Sequence, residues 1–568
     1  MGELERFLGE IRDVGSLNKL TDEPDAVPPE PDYIRAQSGP TNGAKAQRAA
    51  HAEPWPEKLD EAALYGLAGE VVRAIEPHTE ADPVALLTQL LVYFGNVIGR
   101  RAHCRVEADR HYANEFVLAT GATAKGRKGT SEGRVRALFD SIEESEPEGS
   151  ESLEGSWVRT RLQSGLSSGE GLIWAVRDPI VQSEPLRDKN KKVTGYQKVT
   201  TDPGVDDKRL LVQESEFAAA LKVAARDGNT LSPTMRQAWD TGRLRILTKN
   251  NPGSATDAHI SIVGHITKPE LLRQMSETDM ANGFANRFLF VAVKRSKCLP
   301  EGGGSVEVGE LVNHLREAVR FGARQGEVKR DWRARKVWAA VYPMLSDGQP
   351  GLLGAATSRA EAHVLRLSLI YALLDLSPVI RAEHVIAALA VWDYCLASAR
   401  WIFGAKIGDT TCDEILQALR RSQKPLSRTD ISDLFGRHKS STEIGRALDE
   451  LVSLGLVTCE RVTTSGRTAD YWRVTSGGPL SSLVSQSGQT AKGVPSFAAM
   501  AKQVLCELTA EGPDAVGSCE ESEGSEAIED LGLCVYCGVR PAIVRGSDGL
   551  AYCDVDVERA ELDEEADQ

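Results

Sequence analysis

The sequence is poor in the features that mark disulfide scaffolds and membrane proteins. It has 10 cysteines among 568 residues, too few for a disulfide-stabilised secreted fold. No uninterrupted apolar run approaches the ~20 residues that a membrane-spanning helix needs. The opening residues, MGELERFLGEIRD, contain acidic side chains and lack the apolar segment of a secretory signal. We therefore expect a cytoplasmic protein with no membrane partner.

Acidic residues are in excess, but only near the end of the chain. The formal net charge is −15. Residues 507–568 contain 18 acidic and 3 basic side chains, which leaves 64 of each sign before them. The body of the chain is therefore neutral, and the overall charge does not exclude nucleic-acid binding by that body. The acidic end itself should repel phosphate backbones.

Short apolar runs and helical patterns alternate over the first half of the chain. With 41% hydrophobic and 26% charged residues, the composition is that of a folded protein. Asp82 and Pro83 precede a long apolar run and predict an N-capped helix. The runs that predict strands lie at 115–120, 157–162, 210–213, 244–247, 260–264 and 288–293. This alternation favours an α/β domain with a largely parallel sheet.

A glycine-rich loop directly follows the first of these strands. Glycines let backbone N–H groups close around phosphate oxygens, and the N-terminus of the following helix adds partial positive charge. We expect Lys128 to reach the β- and γ-phosphates of a nucleotide and Thr130 or Ser131 to hold Mg²⁺. The candidate nucleotide-binding residues are Gly121, Ala122, Thr123, Ala124, Lys125, Gly126, Arg127, Lys128, Gly129, Thr130 and Ser131.

The loop departs from the usual phosphate-loop spacing. In that pattern the lysine directly follows the second glycine, and the serine or threonine directly follows the lysine. Here Arg127 and Gly129 intervene. The alternative is a basic glycine-rich turn that binds no nucleotide. The apolar strand before the loop and the helical pattern EGRVRALFD after it favour phosphate binding.

Three glutamates are candidates for the acidic catalytic group. Glu214 and Glu216 follow the apolar run RLLV, where a carboxylate can hold Mg²⁺ through water or activate the attacking water. Glu214 is favoured and Glu216 comes second, although the strand contains no Asp. The alternative is an exposed carboxylate pair at a strand end. Glu170 is the third candidate, and its alternative is a helix capping box with Ser167.

Two further residues are candidates for contact with the γ-phosphate. His265 follows the run HISIVG, where a polar side chain just past a central strand can sense the phosphate. The alternative is a histidine hydrogen-bonded to a neighbouring carbonyl. Arg287 precedes the strand FLFVAV, where it can stabilise charge on a neighbouring subunit's nucleotide. The alternative is an ion pair of Arg287 within its own domain.

These motifs together resemble a large family of helicase-like P-loop proteins from phages, plasmids and actinobacterial genomes. Family members are often labelled only as a domain of unknown function and are often fused to primase-polymerase domains. The resemblance covers about residues 55–405. It is carried by the segments EADPVALLTQLLVYFGNVIGRRAH, TGATAKGRKGTS, SGLSSGEGLIWAVRD, QESEFA, NTLSPTMRQAWD, HISIVGHITKPEL, NGFANRFLF and SRAEAHVLRLSLIYALLD.

The resemblance implies a core like that of RecA-type ring ATPases such as the RepA-like plasmid helicases. It implies ATP-binding roles for Lys128 and Thr130, a carboxylate role for Glu214 or Glu216, and an arginine-finger role for Arg287. It also implies a homo-oligomer, with a hexamer as one arrangement. Residues 1–54 are too short for a primase-polymerase domain, so we expect primer synthesis to come from a separate primase.

A basic unit follows at 409–475. Its pattern of three short helices and a two-stranded ribbon predicts a winged helix. Residues 420–447 carry a net charge of +4, which suits contact with DNA phosphates. The alternative is that the unit docks only protein. The candidate DNA-binding residues are Arg437, Lys439, Arg446 and Arg467.

The last module contains four residues at zinc-ribbon spacing. Cys534, Cys537 and Cys553 are followed by Asp556 where a fourth cysteine is usual. Asp can ligate Zn²⁺, although structural sites favour Cys and His. The alternative is a degenerate ribbon that binds no metal.

The sequence thus predicts an α/β protein with a RecA-like P-loop NTPase core, a helical domain, a winged helix and a zinc-ribbon-like module. The expected activity is a Mg²⁺-dependent ATPase acting on DNA, as a replication helicase or helicase-like motor of a mobile element. The alternatives are an ATP-switched DNA-binding initiator or regulator without unwinding activity, and a scaffold with a degenerate nucleotide site.

The expected segments are a disordered lead-in at 1–54, the ATPase core at 55–304, the helical domain at 305–408, the winged helix at 409–475, a linker at 476–530, the zinc-ribbon-like module at 531–560 and an acidic tail at 561–568.

Overall fold

The computed structural model describes most of the chain from residue 53 to residue 510. The described ranges are 53–123, 126–144, 157–187, 192–247, 253–275, 277–348, 351–404, 408–422, 424–463, 468–475 and 495–510, with the strand pairs at 544–545 and 551–552. The lead-in predicted at 1–54 lies almost wholly outside the described residues.

Strands and helices alternate up to about residue 300, as the sequence predicts. The strands are β1 (His103–Val106), β2 (Asp109–Tyr112), β3 (Phe116–Gly121), β4 (Leu162–Gln163), β5 (Ile180–Arg187), β6 (Val193–Asp202), β7 (Arg209–Glu214), β8 (Leu244–Ile246), β9 (Gly253–Ala255), β10 (His259–Thr267), β11 (Phe288–Val293), β12 (Lys329–Arg330), β13 (Val379–Ile380), β14 (Leu426–Ser427), β15 (Val457–Thr463), β16 (Thr468–Val474), β17 (Val544–Arg545) and β18 (Ala551–Tyr552).

The helices vary widely in length. They are α1 (Gly66–Ile75), α2 (Pro83–Val97), α3 (Lys128–Glu144), α4 (Trp157–Arg161), α5 (Gly169–Trp174), α6 (Phe217–Ala224), α7 (Leu231–Asp240), α8 (Lys268–Gln274), α9 (Glu277–Ala281), α10 (Gly309–Arg324), α11 (Trp332–Ser346), α12 (Gly351–Thr357), α13 (Ala360–Leu374), α14 (Ala382–Phe403), α15 (Thr410–Arg421), α16 (Arg428–Leu434), α17 (Ser441–Ser453) and α18 (Phe497–Ala510).

A five-stranded parallel sheet in the order β11-β3-β10-β7-β4 forms the centre of the fold. Phe116 of β3 pairs with Ile262 on one side and Phe288 on the other. Both faces of β3 and β11 are buried, which explains why these strands read as continuous apolar runs. The fold is therefore mixed α/β with a parallel sheet, as predicted.

One predicted strand is mostly a helix, and another is a strand that lies outside the central sheet. Residues 157–161 form helix α4, and only Leu162–Gln163 joins the sheet. Residues Leu244–Ile246 form a strand, but it pairs antiparallel with β9 outside the sheet. Apolar runs of this length do not distinguish a buried helical turn from a buried strand, nor a sheet strand from a local hairpin.

The helices divide between the two faces of the sheet. Helix α3, which follows β3, packs on one face through Val135, Leu138 and Phe139. Helices α6–α9 contribute to the core on the other face. The connection that leaves β3 thus crosses the opposite face from those that leave β7 and β10. In open α/β sheets, such a reversal places a binding crevice outside the carboxyl ends of the strands. Here that crevice lies at the ends of β3 and β10.

The apolar helix predicted after Asp82 is α2. The Asp82 carboxylate accepts a hydrogen bond from the Val84 amide at 3.0 Å, and Pro83 occupies the first helical position. Nearly the whole helix is buried beside the sheet. Its few polar side chains, which include Gln89 and Asn96, are therefore carried into the core.

The helices after residue 305 share buried residues with the sheet. On α14, the Tyr394 hydroxyl donates to the Ala292 carbonyl of β11 at 2.8 Å. The Ser398 hydroxyl accepts from the Ala292 amide at 3.0 Å. Residues from α13 and α14 belong to the same hydrophobic core as β3 and β11. The domain boundary at 305 stays a prediction, and these helices cover the β11 edge of the sheet.

Helix α14 passes a length and composition test for a membrane span. It has 22 residues, and 78% of its apolar window is buried inside the protein. The core helix of a globular fold gives the same signal.

Residues 410–474 have a separate hydrophobic core. Helices α15, α16 and α17 pack against a three-stranded antiparallel sheet in the order β14-β16-β15. The core is formed by Cys412, Ile415, Leu416, Leu419, Ile431, Ile444, Ala447, Leu448, Leu451, Leu456, Val457 and Trp472.

The linker prediction for 476–530 is wrong over Phe497–Ala510, which form helix α18. Ala498 and Ala501 are fully buried in the core beside the sheet. The buried carboxylate of Asp393 accepts from the Phe497 and Ala498 amides at 3.1 and 2.9 Å. Helix α18 therefore packs against the core beside the sheet. The remaining predicted linker residues, apart from 495–496, lie outside the described residues.

Candidate nucleotide site

The glycine-rich loop joins the carboxyl end of β3 to the first turn of α3. Gly121 is the last residue of β3, and Lys128 is the first residue of α3. The Arg127 carbonyl accepts from the Thr130 and Ser131 amides at 3.0 and 3.4 Å, so it closes the first helical turn. The two amides before them, those of Lys128 and Gly129, are the first of the helix and have no acceptor within it. Ala124 and Lys125 lie outside the described residues.

Two backbone positions in this loop are conformationally restricted. A Cβ atom at Gly121 would lie 2.9 Å from the Thr123 carbonyl oxygen and 3.4 Å from Lys128 Nζ. Arg127 has a φ of +53°, an uncommon left-handed conformation for a residue with a side chain. The inserted Arg127 therefore reverses the chain just before the helix. Its side chain is held outside the loop by an ion pair with Glu80 at 2.7 Å.

Lys128 lies between the ends of the two central strands. Its Nζ donates to the Ile266 carbonyl of β10 at 2.8 Å. Partial burial lowers the pKa of Lys128, and the nearby Glu270 carboxylate opposes that shift. A partly desolvated ammonium group at the mouth of the crevice is well suited to a phosphate.

The two hydroxyl candidates have different surroundings. Thr130 is exposed in the first turn of α3. Ser131 is fully buried, and its hydroxyl donates to the Lys128 carbonyl at 2.6 Å and accepts from Gln89 Nε2 at 3.1 Å. Because Thr130 is exposed and the Ser131 hydroxyl is buried and hydrogen-bonded, Thr130 is the better candidate for a Mg²⁺ ligand.

The predicted position of His265 is wrong, because β10 continues to Thr267 and the ring lies within the strand. The ring is buried beneath α3, with Nε2 3.2 Å from Gln89 Nε2 and Nδ1 3.6 Å from Glu132. Burial, with a contribution from Lys128, lowers the pKa of His265 to about 4. His265 is thus a neutral group behind the phosphate loop. The sequence suggested either a contact with the γ-phosphate or a hydrogen bond to a carbonyl. The observed partners of the ring are instead the side chains of Gln89 and Glu132.

Glu214 is the last residue of β7, the strand next to β10. Its Oε1 accepts from the Gly165 and Leu166 amides at 2.6 Å each. It therefore holds the loop that follows the edge strand β4. The carboxylate remains partly exposed, at the same sheet edge as the phosphate loop.

Glu216 and Glu170 are weaker candidates than Glu214. Glu216 is exposed at the start of α6, and its side chain makes no capping hydrogen bond. Glu170 is exposed in the first turn of α5 and accepts from the Thr230 hydroxyl at 3.0 Å. The capping box expected from Ser167 is wrong in register, because the cap is Ser168, whose hydroxyl accepts from Gly171 N at 3.0 Å.

Arg287 adopts the alternative considered from the sequence, an ion pair within its own domain. It is buried and lies 2.6 Å from the Asp240 carboxylate at the end of α7. It also donates to the Gly283 carbonyl. Because β11 runs parallel to β3 and Phe288 pairs with Phe116, Arg287 lies at the amino ends of the strands. The nucleotide loop is at their carboxyl ends, so the structure does not bring Arg287 into this site.

A Mg²⁺ ion would find two protein oxygen donors at this edge, the Thr130 hydroxyl and the Glu214 carboxylate. Among residues that the structure describes, no group of three or more His, Cys, Asp and Glu side chains could hold a metal ion. A nucleotide-bound Mg²⁺ takes only one or two protein ligands and completes its shell with phosphate oxygens and water. The donor set therefore fits Mg²⁺ bound together with a nucleotide.

Sequence reasoning missed Gln89 and Glu132 as neighbours of the phosphate loop. Gln89 is fully buried and joins Ser131 of α3 to His265 of β10. Glu132 is partly buried, and this raises its pKa. The available signal was a glutamine inside the otherwise apolar helix α2, since a buried amide needs hydrogen-bond partners.

The three described candidate DNA-binding residues of the 410–474 module are each paired with a carboxylate nearby. Such exposed pairs are weak and can open towards a phosphate. Helix α17 contains one basic residue, Arg446, and three acidic ones. Arg467 lies outside the described residues. The pairs are Arg437–Asp433 at 2.9 Å, Lys439–Glu443 at 3.7 Å and Arg446–Asp409 at 3.3 Å.

The predicted zinc ligands Cys534, Cys537, Cys553 and Asp556 lie outside the described residues. Between the two cysteine positions Cys537 and Cys553, the strands β17 and β18 pair antiparallel. The zinc site stays a prediction.

Comparison of the chain with models of known protein families finds no match, and comparison with curated proteins finds no similar sequence. The family resemblance therefore stays a prediction from the motifs.

Proposed function

We propose that the protein is a Mg²⁺-dependent ATPase with a RecA-like core that acts on DNA. The observation that carries the proposal is the position of Lys128. Its ammonium lies between the carboxyl ends of β3 and β10, 2.8 Å from the Ile266 carbonyl, at the mouth of a glycine-rich loop. A phosphate at that place would meet the lysine, the loop amides and the N-terminus of α3 together.

The sheet topology supports a ligand at the same point. The helix after β3 lies on one face, and the helices after β7 and β10 contribute to the core on the other. The crevice between these connections opens at the carboxyl ends of β3 and β10. Glu214, on the strand beside β10, ends at this edge as well.

In the proposed mechanism, the loop amides and Lys128 bind the β- and γ-phosphates. Glu214, held by the Gly165 and Leu166 amides, orients the attacking water. Bound Mg²⁺, held by Thr130, would neutralise charge on the phosphates. Gln89 and the neutral His265 fix α3 from behind, so that the lysine keeps its position during turnover.

The action on DNA rests on the family resemblance and on the 410–474 module. We propose that this module is a winged helix, which the three helices and the three-stranded antiparallel sheet support. The acidic character of α17 argues against deep insertion of that helix into a DNA groove. Arg437, Lys439 and Arg446 would contact phosphates after their ion pairs open. A homo-oligomer such as a hexamer is part of the same proposal.

A second function is favoured by the burial of Arg287. A residue paired with Asp240 inside its own domain is not available to a neighbouring subunit's nucleotide. The chain could then be an ATP-switched DNA-binding initiator or regulator that does not unwind DNA. Unwinding of a labelled fork separates the two, since only the motor releases the displaced strand.

The test of the ATPase is turnover of Lys128→Ala beside a matched control. Arg136→Ala is suitable because Arg136 is an exposed basic residue of the same helix, paired with Asp140 at 3.7 Å. We expect Lys128→Ala to lose at least about 100-fold in turnover, and Arg136→Ala to resemble the wild type. Circular dichroism confirms that both variants are folded. Equal turnover in the wild type and Lys128→Ala would refute the site.

A further inference from the structure

A long two-stranded arm extends from the sequence between β4 and β7. Strands β5 and β6 pair antiparallel with each other and with no other described strand. The base of the arm is fixed by ion pairs, Arg177–Asp202 at 3.0 Å and Lys208–Asp178 at 3.0 Å. The arm is thus held rigidly at its base, while both of its faces and both strand edges remain uncovered.

The arm exposes large apolar side chains to solvent. Tyr196 is 70% exposed, Val181 52% and Leu186 44%. A two-stranded hairpin is only marginally stable in water by itself. Exposed apolar side chains on such an arm are typical of a binding surface.

The two faces of the arm differ in chemistry. Residues directly opposite each other in an antiparallel pair share a face. Tyr196 pairs with Pro185, and Lys198 pairs with Ser183, so the aromatic ring and the lysine lie on one face beside small neighbours. Gln197 pairs with Glu184 on the other face.

The charge of the arm identifies the kind of partner. Residues 180–202 contain five basic and three acidic residues, a net charge of +2 within a body that is neutral overall, and one of the acidic residues, Asp202, is paired with Arg177 at the base. A second copy of the neutral body would gain little from that charge, and the acidic end at residues 507–568 offers carboxylates but only two aromatic rings, those of Tyr536 and Tyr552. A polyanion would gain, and a chain of unpaired bases offers both phosphates for the lysines and flat rings for the tyrosine.

We propose that this arm binds single-stranded nucleic acid, with Tyr196 stacking on a base and Lys198 contacting a phosphate. The proposal deepens the proposed function, on which it rests, by naming where the strand is held. The opposite face, with Gln197 and Glu184, does not contact the strand.

The experiment measures binding of a fluorescein-labelled oligothymidine by anisotropy, with the full chain and MgATP, at several salt concentrations. We expect Tyr196→Ala to weaken binding about 5- to 100-fold, and Tyr196→Phe, which keeps the ring, to remain close to the wild type. Lys198→Ala should reduce the slope of log affinity against log salt by about 0.7. Gln197→Ala, on the other face, and Lys58→Ala, an exposed lysine outside the arm, are the matched controls.

Each outcome decides the proposal separately from the ATPase. ATP turnover without DNA should be the same in Tyr196→Ala and the wild type. If turnover is normal and Tyr196→Ala still binds as tightly as the wild type, or the wild type binds no strand, the arm inference is overturned while the ATPase stands. If the variant changes only the mass of the assembly, the arm joins copies of the chain and the inference is also overturned. If the wild type shows no ATP turnover but Tyr196→Ala still binds the strand more weakly than the wild type, only the ATPase is refuted.

Discussion

At the residue scale, two neighbouring hydroxyls show how position in a helical turn decides chemistry. Thr130 is exposed, whereas Ser131 is buried and hydrogen-bonded to Lys128 O and Gln89. The sequence predicts either residue as the Mg²⁺ ligand, because which hydroxyl is exposed depends on how α3 is rotated against α2. That rotation is set by packing and not by the loop itself.

Replacing these hydroxyls should separate function from stability. Thr130→Ala should raise the Mg²⁺ concentration needed for half-maximal turnover by about tenfold, the effect of one lost ligand. Ser131→Ala removes one of the two partners of Gln89 Nε2 inside the core and leaves His265 as the other, which should cost about 1 kcal/mol of stability. Turnover titrated with Mg²⁺ and thermal unfolding measure the two effects. The reverse pattern would place the Mg²⁺ ligand at Ser131.

The Glu214 carboxylate should be needed for hydrolysis more than for binding. Glu214→Gln keeps an acceptor oxygen for the Gly165 and Leu166 amides but removes the charge that orients water. We expect turnover to fall about 100-fold or more, with nucleotide affinity within a few fold of the wild type. Pre-steady-state hydrolysis and equilibrium binding of a fluorescent ATP measure these. A similar loss in Glu216→Gln, with Glu214→Gln unaffected, would move the role to the exposed neighbour.

At the element scale, the strand that begins after Arg287 depends on an ion pair with the preceding helix. Arg287 joins the start of β11 to the end of α7 through Asp240, which also pairs with Arg359 at 3.2 Å. Arg287→Ala should therefore lower the free energy of unfolding. A broken buried ion pair costs about 3–5 kcal/mol, and we expect a loss near the lower end of this range because Arg359 remains beside Asp240.

The measurement is thermal unfolding beside turnover at a temperature where the variant is folded. Destabilisation with nearly normal turnover is expected. Unchanged stability with lost turnover would mean that Arg287 reaches a nucleotide, contrary to its place at the amino ends of the strands.

Elements with strong local patterns could be predicted from the sequence, and those defined by tertiary contacts could not. Strand β3, the loop and α3 follow one another as predicted because glycine and apolar runs act locally. His265 was placed past its strand because the end of β10 depends on pairing with β3 at Thr267. Helix α18 was taken for linker because its Ser/Gly/Glu-rich surroundings hide an apolar face that only docking against the body reveals.

At the scale of the whole molecule, buried neutral histidines link stability to pH. Burial lowers the pKa of His259 to about 3 and of His265 to about 4. In the unfolded chain each would titrate near 6.5, so the unfolded state binds more protons between these values. The histidine contribution to stability is therefore complete above about pH 6.5 and is lost as the pH falls towards 4.

The free energy of unfolding should thus fall as the pH is lowered from 6.5 to 4, by up to about 1.4 kcal/mol per pH unit for each histidine. The midpoint of thermal unfolding should fall with it. Asp393, whose pKa burial raises to about 6, acts in the opposite sense and reduces the slope. His265→Gln should show a shallower fall than the wild type. An identical pH dependence in the two proteins would mean that His265 is not buried as a neutral ring.

The proposed ATPase activity depends on a triphosphate bound at Lys128. The most direct test is calorimetric titration of the full chain with a non-hydrolysable ATP analogue and Mg²⁺, in the wild type, Lys128→Ala and Arg136→Ala. We expect saturable binding by the wild type and Arg136→Ala, weakened at least about tenfold in Lys128→Ala by loss of a charged hydrogen bond. No binding by the folded wild type, or equal affinity in Lys128→Ala, would contradict the account.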